Sequence, residues 1–541
     1  MPHTKKQITA SIAMVTLLGL LLICGKQVIA LKNTDPVVVG KTFLAGSTDP
    51  TTGSTGWALT SHGISEKLFT VNEKDEIVGQ VAQSVKKVNK FTWDITLKSG
   101  YKFSDGTAVT AQNVADCLTE LNQKNSNAKT SLDTMTVTAQ SNRVVRIVST
   151  RATHVMESVL AEYVFVIYKK TGVNFVFTGP YAVEKFVGGS YIDLIPNQHY
   201  IDNKASRRTK IKIKKFSGGD KLAKAVEMKE VDVGFHLPIH TIPDLKKKSG
   251  ITVKSFEVGY HYMAFHNTRR PQMADLRVRK AIDLALDRTA LAKALAGGKG
   301  TRSLFPDFSP YFSDNSDPKG NVVEAKQNLE AAGWTLSNGK RVKNGEILNV
   351  TLVAYPQRPG LPIMQPIISK ALTDLGITVV SITTSGDNWN QLDGFIANKN
   401  FDLLMWAQHT LPAGDPLFFL NGFFRSDGGN NHAGLNDSVV DSLLDTLSQT
   451  EEHSARITAC KAAHSEILSN VPVSNLVTPA WHVGLSTRMA NYKPWGSDYY
   501  VIRADFYEVA PTHTTEASSA PIFCTKTSLI LALVLIAFGI Y

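Results

Sequence analysis

The sequence lacks most features of membrane proteins and disulfide-stabilised domains. No interior run reaches the roughly eighteen apolar residues that indicate a membrane-spanning helix, which excludes an internal transmembrane segment. Only four cysteines are present, and Cys24 and Cys524 lie in terminal segments that we expect to be removed. Cys117 and Cys460 remain, and their spacing fits either a disulfide or two buried thiols.

Catalytic and metal-binding motifs are also missing. The sequence has no G-x-S-x-G, H-E-x-x-H or P-loop pattern, so we do not expect an enzyme. No histidines and cysteines have the spacing of a metal site, so no metal is assigned and no cofactor is predicted. The formal net charge is +11. This positive charge favours an anionic ligand or surface. The basic residues of the sequence form no dense stripe interleaved with aromatics, so we do not expect nucleic-acid binding.

The N-terminal segment has the order of a secretory signal. A basic pair at 5–6 precedes an apolar stretch over 12–24, and the small residue Ala30 follows. This arrangement predicts a signal peptide that covers 1–30. A signal anchor is the alternative, but the apolar stretch is short for a membrane span. A bacterial lipoprotein site at Cys24 is disfavoured because a bulky residue precedes the cysteine.

The C-terminal segment has the order of a glycosylphosphatidylinositol (GPI) signal. Small residues at 518–520 precede a spacer and then the hydrophobic tail 528–541, "SLILALVLIAFGIY". The tail is shorter than the ~20 apolar residues that span a bilayer. We therefore favour lipid attachment at Ser518 over a short membrane helix, with 512–527 as a stalk or spacer. Such a protein would follow the secretory pathway to the cell surface and be membrane-anchored on the extracellular side.

Helix and strand patterns alternate from the start of the expected mature chain. "FTWDITL" (91–97) alternates large and polar residues, as a half-exposed strand does. Apolar residues behind Thr110 recur at helical spacing, with this threonine as the N-cap. A helix capped by Asp275 is predicted to run as far as the glycine pair 297–298. A strand at 349–355, a helix and the strand "ITVVSITT" predict a βαβ unit with a parallel strand pair, so we expect an α/β fold.

Six segments resemble, in the same order, parts of the family-5 extracellular solute-binding proteins. They are "FTWDITLKSGYKFSDGTAVTAQNVADCL", "TGPYAVEKFVGGSYIDLIPNQHYID", "AKAVEMKEVDVG", "YHYMAFHNTRRPQMADLRVRKAIDLALDR", "AKQNLEAAGW" and "FDLLMWAQHTLPAGDP". That family includes the peptide- and nickel-binding subunits of bacterial ABC importers. The resemblance implies a large, class II, two-lobed periplasmic-binding-protein-like fold that encloses its ligand between the lobes.

The resemblance also implies a division of the chain into lobes joined by a hinge. Lobe one would comprise 31–265, with an inserted subdomain at about 72–177, and a return segment at 488–511. Lobe two would comprise 266–487. The hinge crossings would then lie near 262–268 and 484–490, and closure on the ligand would be a hinge motion.

The expected ligand loop departs from the pattern of peptide-binding relatives. In those relatives an aspartate that closely follows a tryptophan and an alanine pairs with the α-amine of the peptide. The stretch "WAQHTLPAGDP" keeps Trp406 and Ala407 but has Gln408 at that position, and Asp415 follows a longer loop. A neutral amide cannot neutralise a buried ammonium, so free peptides fit poorly unless Asp415 substitutes. The nickel-binding branch, which takes metal as an organic chelate, also lacks this aspartate, although its arginines are not clearly kept here.

Aromatic and polar residues near the expected cleft are the binding-site candidates. Each of them is more often an ordinary core residue than a ligand contact, but Trp406 lies in the segment that forms the family's ligand floor. The candidates are Trp57, Tyr260, His261, Tyr262, Trp406, Gln408, His409, Asp415, His432 and Trp481.

The sequence therefore predicts a cell-surface receptor that captures a small solute in an interlobe cleft for uptake. A metal chelate such as an iron–siderophore complex is the favoured ligand, because it suits an aromatic, mildly basic cleft. The alternatives are an oligopeptide- or nickel-chelate-binding protein of an ABC-type importer, and a surface structural protein with a vestigial cleft. A membrane transporter or another uptake component is the expected partner. Asn349 and Asn436 are N-glycosylation acceptors if the host glycosylates its proteins.

Overall fold

The computed structural model describes residues 35–72, 77–295, 297–313 and 318–508. The predicted signal peptide, lipid-attachment site and hydrophobic tail lie outside the described residues. All elements below belong to one unit of the chain, Asn33–Val509. The strands are β1 (Val37–Lys41), β2 (Phe69–Val71), β3 (Ile77–Gly79), β4 (Ala82–Asn89), β5 (Thr92–Leu97), β6 (Met135–Ala139), β7 (Val144–Ser149), β8 (Tyr168–Thr171), β9 (Asn174–Phe177), β10 (Tyr181–Val187), β11 (Tyr191–Pro196), β12 (Ile211–Lys215), β13 (Val233–Phe235), β14 (Ile251–Glu257), β15 (Tyr260–His266), β16 (Lys299–Gly300), β17 (Thr335–Ser337), β18 (Lys340–Lys343), β19 (Glu346–Ile347), β20 (Asn349–Ala354), β21 (Thr378–Thr383), β22 (Leu403–His409), β23 (Val473–Thr478) and β24 (Ala480–Ser486).

Helices cover the faces and ends of these sheets. They are α1 (Thr55–Ser61), α2 (Ala111–Lys124), α3 (Ser126–Leu132), α4 (Met156–Val159), α5 (Gly219–Glu227), α6 (Ile242–Leu245), α7 (Pro271–Ala274), α8 (Leu276–Ala285), α9 (Arg288–Ala294), α10 (Val322–Ala331), α11 (Gly360–Asp374), α12 (Asn390–Ala397), α13 (Leu417–Phe424), α14 (Ser438–Gln449) and α15 (His453–Ser469). Short 3₁₀ turns add to these, and one of them, Asp498–Tyr500, contributes to the functional site.

Two mixed sheets form the centres of two lobes. The first has the strand order β10-β11-β12-β1-β13-β24-β14, and the second has the order β16-β23-β15-β22-β20-β21. β20 runs parallel to β21, as predicted from the βαβ pattern, and it also runs parallel to β22. Polar residues that follow β20 and β21 therefore collect at the carboxyl edge of the second sheet, where ligands bind in open α/β sheets.

The chain crosses between the two sheets at 258–259 and at Pro479. Both crossings precede the expected positions, 262–268 and 484–490. The reason is strand pairing: β15 pairs along its length with β22 of the second sheet, while β24 pairs with β14 of the first. The second lobe is accordingly the continuous segment 260–478.

A separate four-stranded sheet, ordered β4-β5-β7-β6, builds a subdomain within the first lobe. Its sequence follows the predicted pattern, because β5 alternates half-buried and buried residues, with Trp93 and Ile95 inside. α2 packs on this sheet and begins at Thr110, whose hydroxyl accepts a hydrogen bond from the Asn113 amide. The predicted strand and the predicted N-cap are both confirmed.

The helix predicted from Asp275 to 297–298 is wrong in extent, because the chain breaks it into α8 and α9. Asp275 does cap α8, but Asp287 accepts a hydrogen bond from the amide of Ala290 and starts a second helix. The buried Arg288 guanidinium donates to the backbone carbonyls of Asp283 and Leu286 and so satisfies the end of α8. The helix therefore ends before the buried Arg288, although apolar residues continue at helical spacing in the sequence beyond it.

Cys117 and Cys460 are buried, and neither forms a disulfide within the described residues. Their spacing fitted either a disulfide or two buried thiols, and the structure shows two buried thiols. Their helices, α2 and α15, belong to different lobes. Within the described ranges, every helix is too short or too polar to cross a bilayer.

Candidate functional site

A cavity of about 400 Å³ lies between the two lobes. The first lobe contributes α1, the loop before it, Tyr163 and Tyr499. The second lobe contributes the end of β22 and the segments that follow β20, β21 and β22. This volume and an aromatic lining are typical of a small-molecule site. The aromatic residues of the lining are Trp57, Tyr163, Tyr260, Tyr355, Trp389, Trp406, Phe423 and Tyr499.

A surface groove of about 630 Å³ between α5 and α6 is a less suitable site. Its lining consists largely of charged side chains that pair with one another. Lys224 and Lys248, for example, both contact the Glu227 carboxylate. Such solvated pairs contribute little binding energy, so the interlobe cavity is the candidate site.

The second-lobe wall of the cavity is a continuous aromatic surface. The ring of Tyr355 lies 5.5 Å from Trp406 and 5.7 Å from Trp389, measured between centroids. The His432 ring lies 4.7 Å from Trp406. The planes of these rings are inclined to one another by 57° to 63°, so they form an angled aromatic wall against which a ring-containing ligand can pack.

Gln408 orients Trp406 and leaves no free carboxylate at this position. The Trp406 indole N–H donates to Gln408 Oε1 at 3.3 Å, and Gln408 Nε2 donates to the carbonyl of His409 at 2.9 Å. Both ends of the amide are therefore used within the protein. The side chain lines the cavity, but its role in this geometry is to hold the indole.

Arg358 supplies a buried cation at the cavity. Its guanidinium forms an ion pair with Asp498 at 2.8 Å, while its Nε and Nη1 atoms have no hydrogen-bond partner in the described structure. Burial is the largest single influence and lowers the pKa of Arg358, but the Asp498 carboxylate together with Tyr260, Tyr355 and Tyr262 raises the pKa above its ordinary value. The side chain is charged and retains unused N–H groups, which is the arrangement that binds a carboxylate.

Aromatic rings and hydrogen bonds hold this ion pair in place. The guanidinium lies 5.2 Å from the Phe43 ring and 5.3 Å from the Trp57 ring, within the range of cation–π attraction. Tyr260 donates its hydroxyl hydrogen to Asp498, and the Trp57 indole N–H donates to the same carboxylate at 3.3 Å. Residues from both lobes and from the return segment therefore meet at one buried charge pair.

A second buried basic side chain, Lys41, lies close to this pair. Lys41 is fully buried and donates from Nζ to Ser61 Oγ at 2.5 Å, and Ser61 in turn donates to the carbonyl of Asp498. Burial lowers the pKa of Lys41 well below its usual value near 10.5. Lys41 does not line the cavity, so Arg358 is the basic side chain of the described lining that can face an anionic group on the ligand.

His432 is a neutral histidine of the cavity wall. Burial is the main cause that lowers its pKa to about 3, with a smaller contribution from Arg269. Its Nε2 atom has no hydrogen-bond partner among the described residues, while Arg269 fixes the loop by donating to the carbonyl of His432 at 3.0 Å. A neutral imidazole with an unused ring nitrogen is a metal ligand or a hydrogen-bonding group.

The structure brings five of the sequence candidates to the cavity and places five elsewhere. Trp57, Tyr260, Trp406, Gln408 and His432 line the cavity. The remaining candidates, His261, Tyr262, His409, Asp415 and Trp481, lie outside its lining.

Each residue outside the lining is used within the fold. Asp415 forms an ion pair with Arg456 at 2.6 Å and so cannot replace the missing amine-binding aspartate. His261 contacts Thr478 inside the second sheet at 3.3 Å. Trp481 donates to the Tyr262 hydroxyl at 3.2 Å behind the cavity. His409 accepts from the Leu411 amide at 3.2 Å.

Sequence reasoning missed Arg358, Tyr355, Trp389 and Asp498. The first three follow β20 or β21, so the predicted βαβ unit combined with the carboxyl-edge rule could have found them. Asp498 comes from the return segment more than a hundred residues later, and nothing in its local sequence indicates that it meets Arg358. Within the described ranges, no group of three or more His, Cys, Asp or Glu residues is arranged to hold a metal ion unaided.

Comparison with known proteins gives the family. Residues 76–431 match the family described as "Bacterial extracellular solute-binding proteins, family 5 Middle". The chain belongs to the family-5 extracellular solute-binding proteins. The expected two-lobed fold of that family is confirmed by solved structures. The surface-anchored form expected from the sequence remains a prediction.

Named relatives of this family-5 protein bind either metal chelates or peptides. The nickel-binding protein NikA of Staphylococcus aureus is 26% identical over 452 residues, which cover 81% of this chain and 88% of that protein. A structure of that protein in complex with Ni(L-His)₂ has a TM-score of 0.80, with 23% identity, 88% of this chain and 100% of that chain covered. The structure of the oligopeptide-binding protein AppA of Bacillus subtilis in complex with a nonapeptide has a TM-score of 0.76 and 18% identity. The match covers 88% of this chain and 99% of that chain.

Proposed function

We propose that this family-5 protein captures a small, carboxylate-bearing metal chelate and delivers it to a membrane importer. The observation that carries the proposal is Arg358, a buried cation at the cavity whose Nε and Nη1 atoms have no hydrogen-bond partner among the described residues. A carboxylate of the ligand would accept a hydrogen bond from one of these two nitrogens, and charge-assisted hydrogen bonds of this kind are the strong ones. The fold, the cavity volume and the aromatic wall suit such a ligand.

A chelate is favoured over a free peptide by the charges of the cavity wall. Asp415 is paired with Arg456, and Gln408 uses its amide within the protein. Asp393 is the only acidic residue of the described lining, and it lies exposed on α12. A peptide ammonium would therefore find no buried counter-charge, whereas a metal held by its own organic ligands needs none. His432 offers a neutral ring nitrogen to the metal.

The finer ligand assignments follow from size. A complex of nickel with histidine or a similar amino acid fits a cavity of about 400 Å³. The iron–siderophore complex predicted from the sequence is bulkier and stays a prediction, while the nickel-chelate alternative has the support of the named relatives. A short peptide is the second candidate, because peptide-binding proteins are also among the relatives.

Binding of defined probes tests the proposal. Residues 35–508 would be titrated by calorimetry and thermal unfolding with nickel–L-histidine, L-histidine alone, a tripeptide and a ferric hydroxamate siderophore. A ligand present at 100 times its Kd stabilises the folded state by about 2.7 kcal/mol. We expect nickel–L-histidine to stabilise the protein and L-histidine alone to have little effect. Stabilisation by the peptide without any by the chelates would overturn the proposal.

Surface attachment is a second, separable proposal that rests on sequence alone. We infer that the full chain is exported and tethered outside the cell by lipid at Ser518, because small residues, a spacer and an apolar tail follow in the order of a GPI signal. Treatment of intact cells with phosphatidylinositol-specific phospholipase C should release the protein. Retention on the cell, together with a tail peptide from 528–541 detected by mass spectrometry, would contradict it.

A further inference from the structure

The inserted subdomain of the first lobe packs against the second lobe along a seam, which we define as the contact between residues 126–163 and 413–451. Across it, Ser158 Oγ donates to the carbonyl of Ala413 at 2.9 Å, and the Gly429 amide donates to Thr130 Oγ1 at 3.1 Å. Any hinge motion about the crossings at 258–259 and Pro479 would separate the two sides. The seam therefore exists only when the lobes are closed.

Glu162 is a buried carboxyl at this seam. Its side chain is 2% exposed and accepts a hydrogen bond from Ser131 Oγ at 2.6 Å. It lines a cavity of about 10 Å³ together with Phe418 and Asn421 of the second lobe. The Oδ1 atom of Asn421 is buried there and has no hydrogen-bond partner in the described part of the chain. No described cation forms an ion pair with Glu162, so the closed seam favours the neutral acid.

We propose that closing the lobes takes up a proton at Glu162, so that ligand affinity depends on pH. The carboxyl is neutral while the second lobe covers it and ionises when the lobes separate and water reaches it. This inference rests on lobe closure over the cavity and does not depend on which solute is bound.

The groups that face Glu162 agree with this direction. Burial raises the pKa of Glu162 well above its ordinary value near 4.5, and Asp415 from the second lobe raises it further. Asp415 is itself paired with Arg456. On the side of the inserted subdomain, Arg151 donates to the Thr130 carbonyl and forms an ion pair with Asp427. The Tyr163 hydroxyl accepts a hydrogen bond from the side-chain amide of Asn127. None of these cations forms an ion pair with Glu162.

The sign of the effect follows from linkage. A carboxyl whose pKa is higher in the closed state binds a proton on closure. Below the open-state pKa, Glu162 is protonated in both states, and the ligand affinity is at its highest and does not change with pH. As pH rises through the interval between the two pKa values, affinity falls by up to about tenfold per pH unit. Above the closed-state pKa the affinity is again flat.

A histidine at the exposed end of the seam acts in the opposite direction. Burial, and then Lys87, lower the pKa of His154, so closure tends to release a proton there. Its contribution would weaken binding as pH falls through its normal range. The wild-type profile alone is therefore ambiguous, and the difference between variants that all retain His154 isolates Glu162.

The test compares wild type with Glu162→Gln, which keeps the neutral shape and removes the titration. The Kd for nickel–L-histidine would be measured from about pH 5 to about pH 8, alongside the radius of gyration of the ligand-free chain by small-angle X-ray scattering. Glu162→Gln should bind like wild type at low pH and more tightly at high pH, with a ratio that grows by at least about tenfold over the range. Its scattering should likewise shift toward closure at high pH.

Glu451→Gln is the matched control, because Glu451 lies exposed on the same seam and pairs with Lys87 at 2.7 Å. Its ratio to wild type should not follow the Glu162 profile. If Glu162→Gln fails to fold, proton uptake on closure can be measured in His154→Gln by calorimetry in buffers of different ionisation enthalpy. Uptake of less than about half a proton at every pH would overturn the proposal. A constant ratio of Kd between wild type and Glu162→Gln does the same. Failure of nickel–L-histidine to bind affects only the proposed function, because scattering of the ligand-free chain still reports closure.

Discussion

At the scale of single residues, Arg358 decides the charge of the ligand. Replacement by glutamine removes the cation and leaves Asp498 buried without its ion pair. We expect the affinity for a carboxylate-bearing chelate to fall by roughly 10- to 150-fold, the worth of a hydrogen bond to a charged group. Calorimetry measures this directly. Arg341→Gln is the control, since Arg341 is equally buried but bonds the carbonyls of Leu375 and Trp334; it should lower stability and leave Kd unchanged.

Gln408 offers a second prediction at this scale. Gln408→Ala removes the acceptor for the Trp406 indole N–H, so the ring loses its fixed orientation while the cavity keeps its charge. We expect a loss of about threefold to tenfold in affinity, within the range for one neutral hydrogen bond. Trp406 fluorescence should also become less sensitive to ligand. Gln408→Asp with Trp406→Ala should abolish chelate binding, and unchanged affinity in that double variant would place the ligand elsewhere.

Residue chemistry was predictable only in part. Trp406 and Gln408 were found because they lie in one recognisable stretch, "WAQHTLPAGDP", whose family role is local. Arg358 and Asp498 were not found, because an ion pair between residues so far apart in sequence leaves no local pattern. His409 and Asp415 look like binding residues in sequence, but the fold uses them to hold the Leu411 amide and Arg456.

At the scale of elements, the loop between β20 and α11 carries the main binding groups. Gly360 begins α11 against Tyr262, and a Cβ at this position would lie 2.4 Å from the Tyr262 ring. Only glycine lets the loop that carries Arg358 approach the second sheet so closely. The strand and helix on either side were predictable from periodicity, but the close approach depends on a side chain almost a hundred residues away.

The cap of α2 is an element that sequence did identify. Thr110 and Asn113 form a reciprocal capping box. Thr110→Ala should lower the free energy of unfolding by about 1 kcal/mol, as for other N-caps. Urea denaturation measures the change. Thr136→Ala, on the exposed face of β6, is the matched control and should change stability by less than about 0.5 kcal/mol. Equal effects of both variants would mean that the box is not stabilising.

At the scale of the whole molecule, closure is supported by buried polar contacts across the seam more than by surface charge. Ser158→Ala removes a buried hydrogen bond that exists only between closed lobes. The Kd should therefore rise by about twofold to tenfold, the worth of one such bond. Glu451→Gln should change Kd by less than about twofold at neutral pH, because exposed ion pairs contribute little. A larger effect of Glu451→Gln than of Ser158→Ala would contradict this ranking.

The two crossings of the chain make the second lobe a continuous insertion in the first lobe. Its first and last strands, β15 and β23, are antiparallel neighbours, with Tyr262 opposite Val477. The segment 260–478 therefore leaves and re-enters the rest of the protein at almost the same place. Domains whose ends meet in this way tolerate excision, transplantation and circular permutation. The second-lobe half of the binding cavity can thus be exchanged between relatives by replacing one continuous segment at two junctions, 258–259 and Pro479.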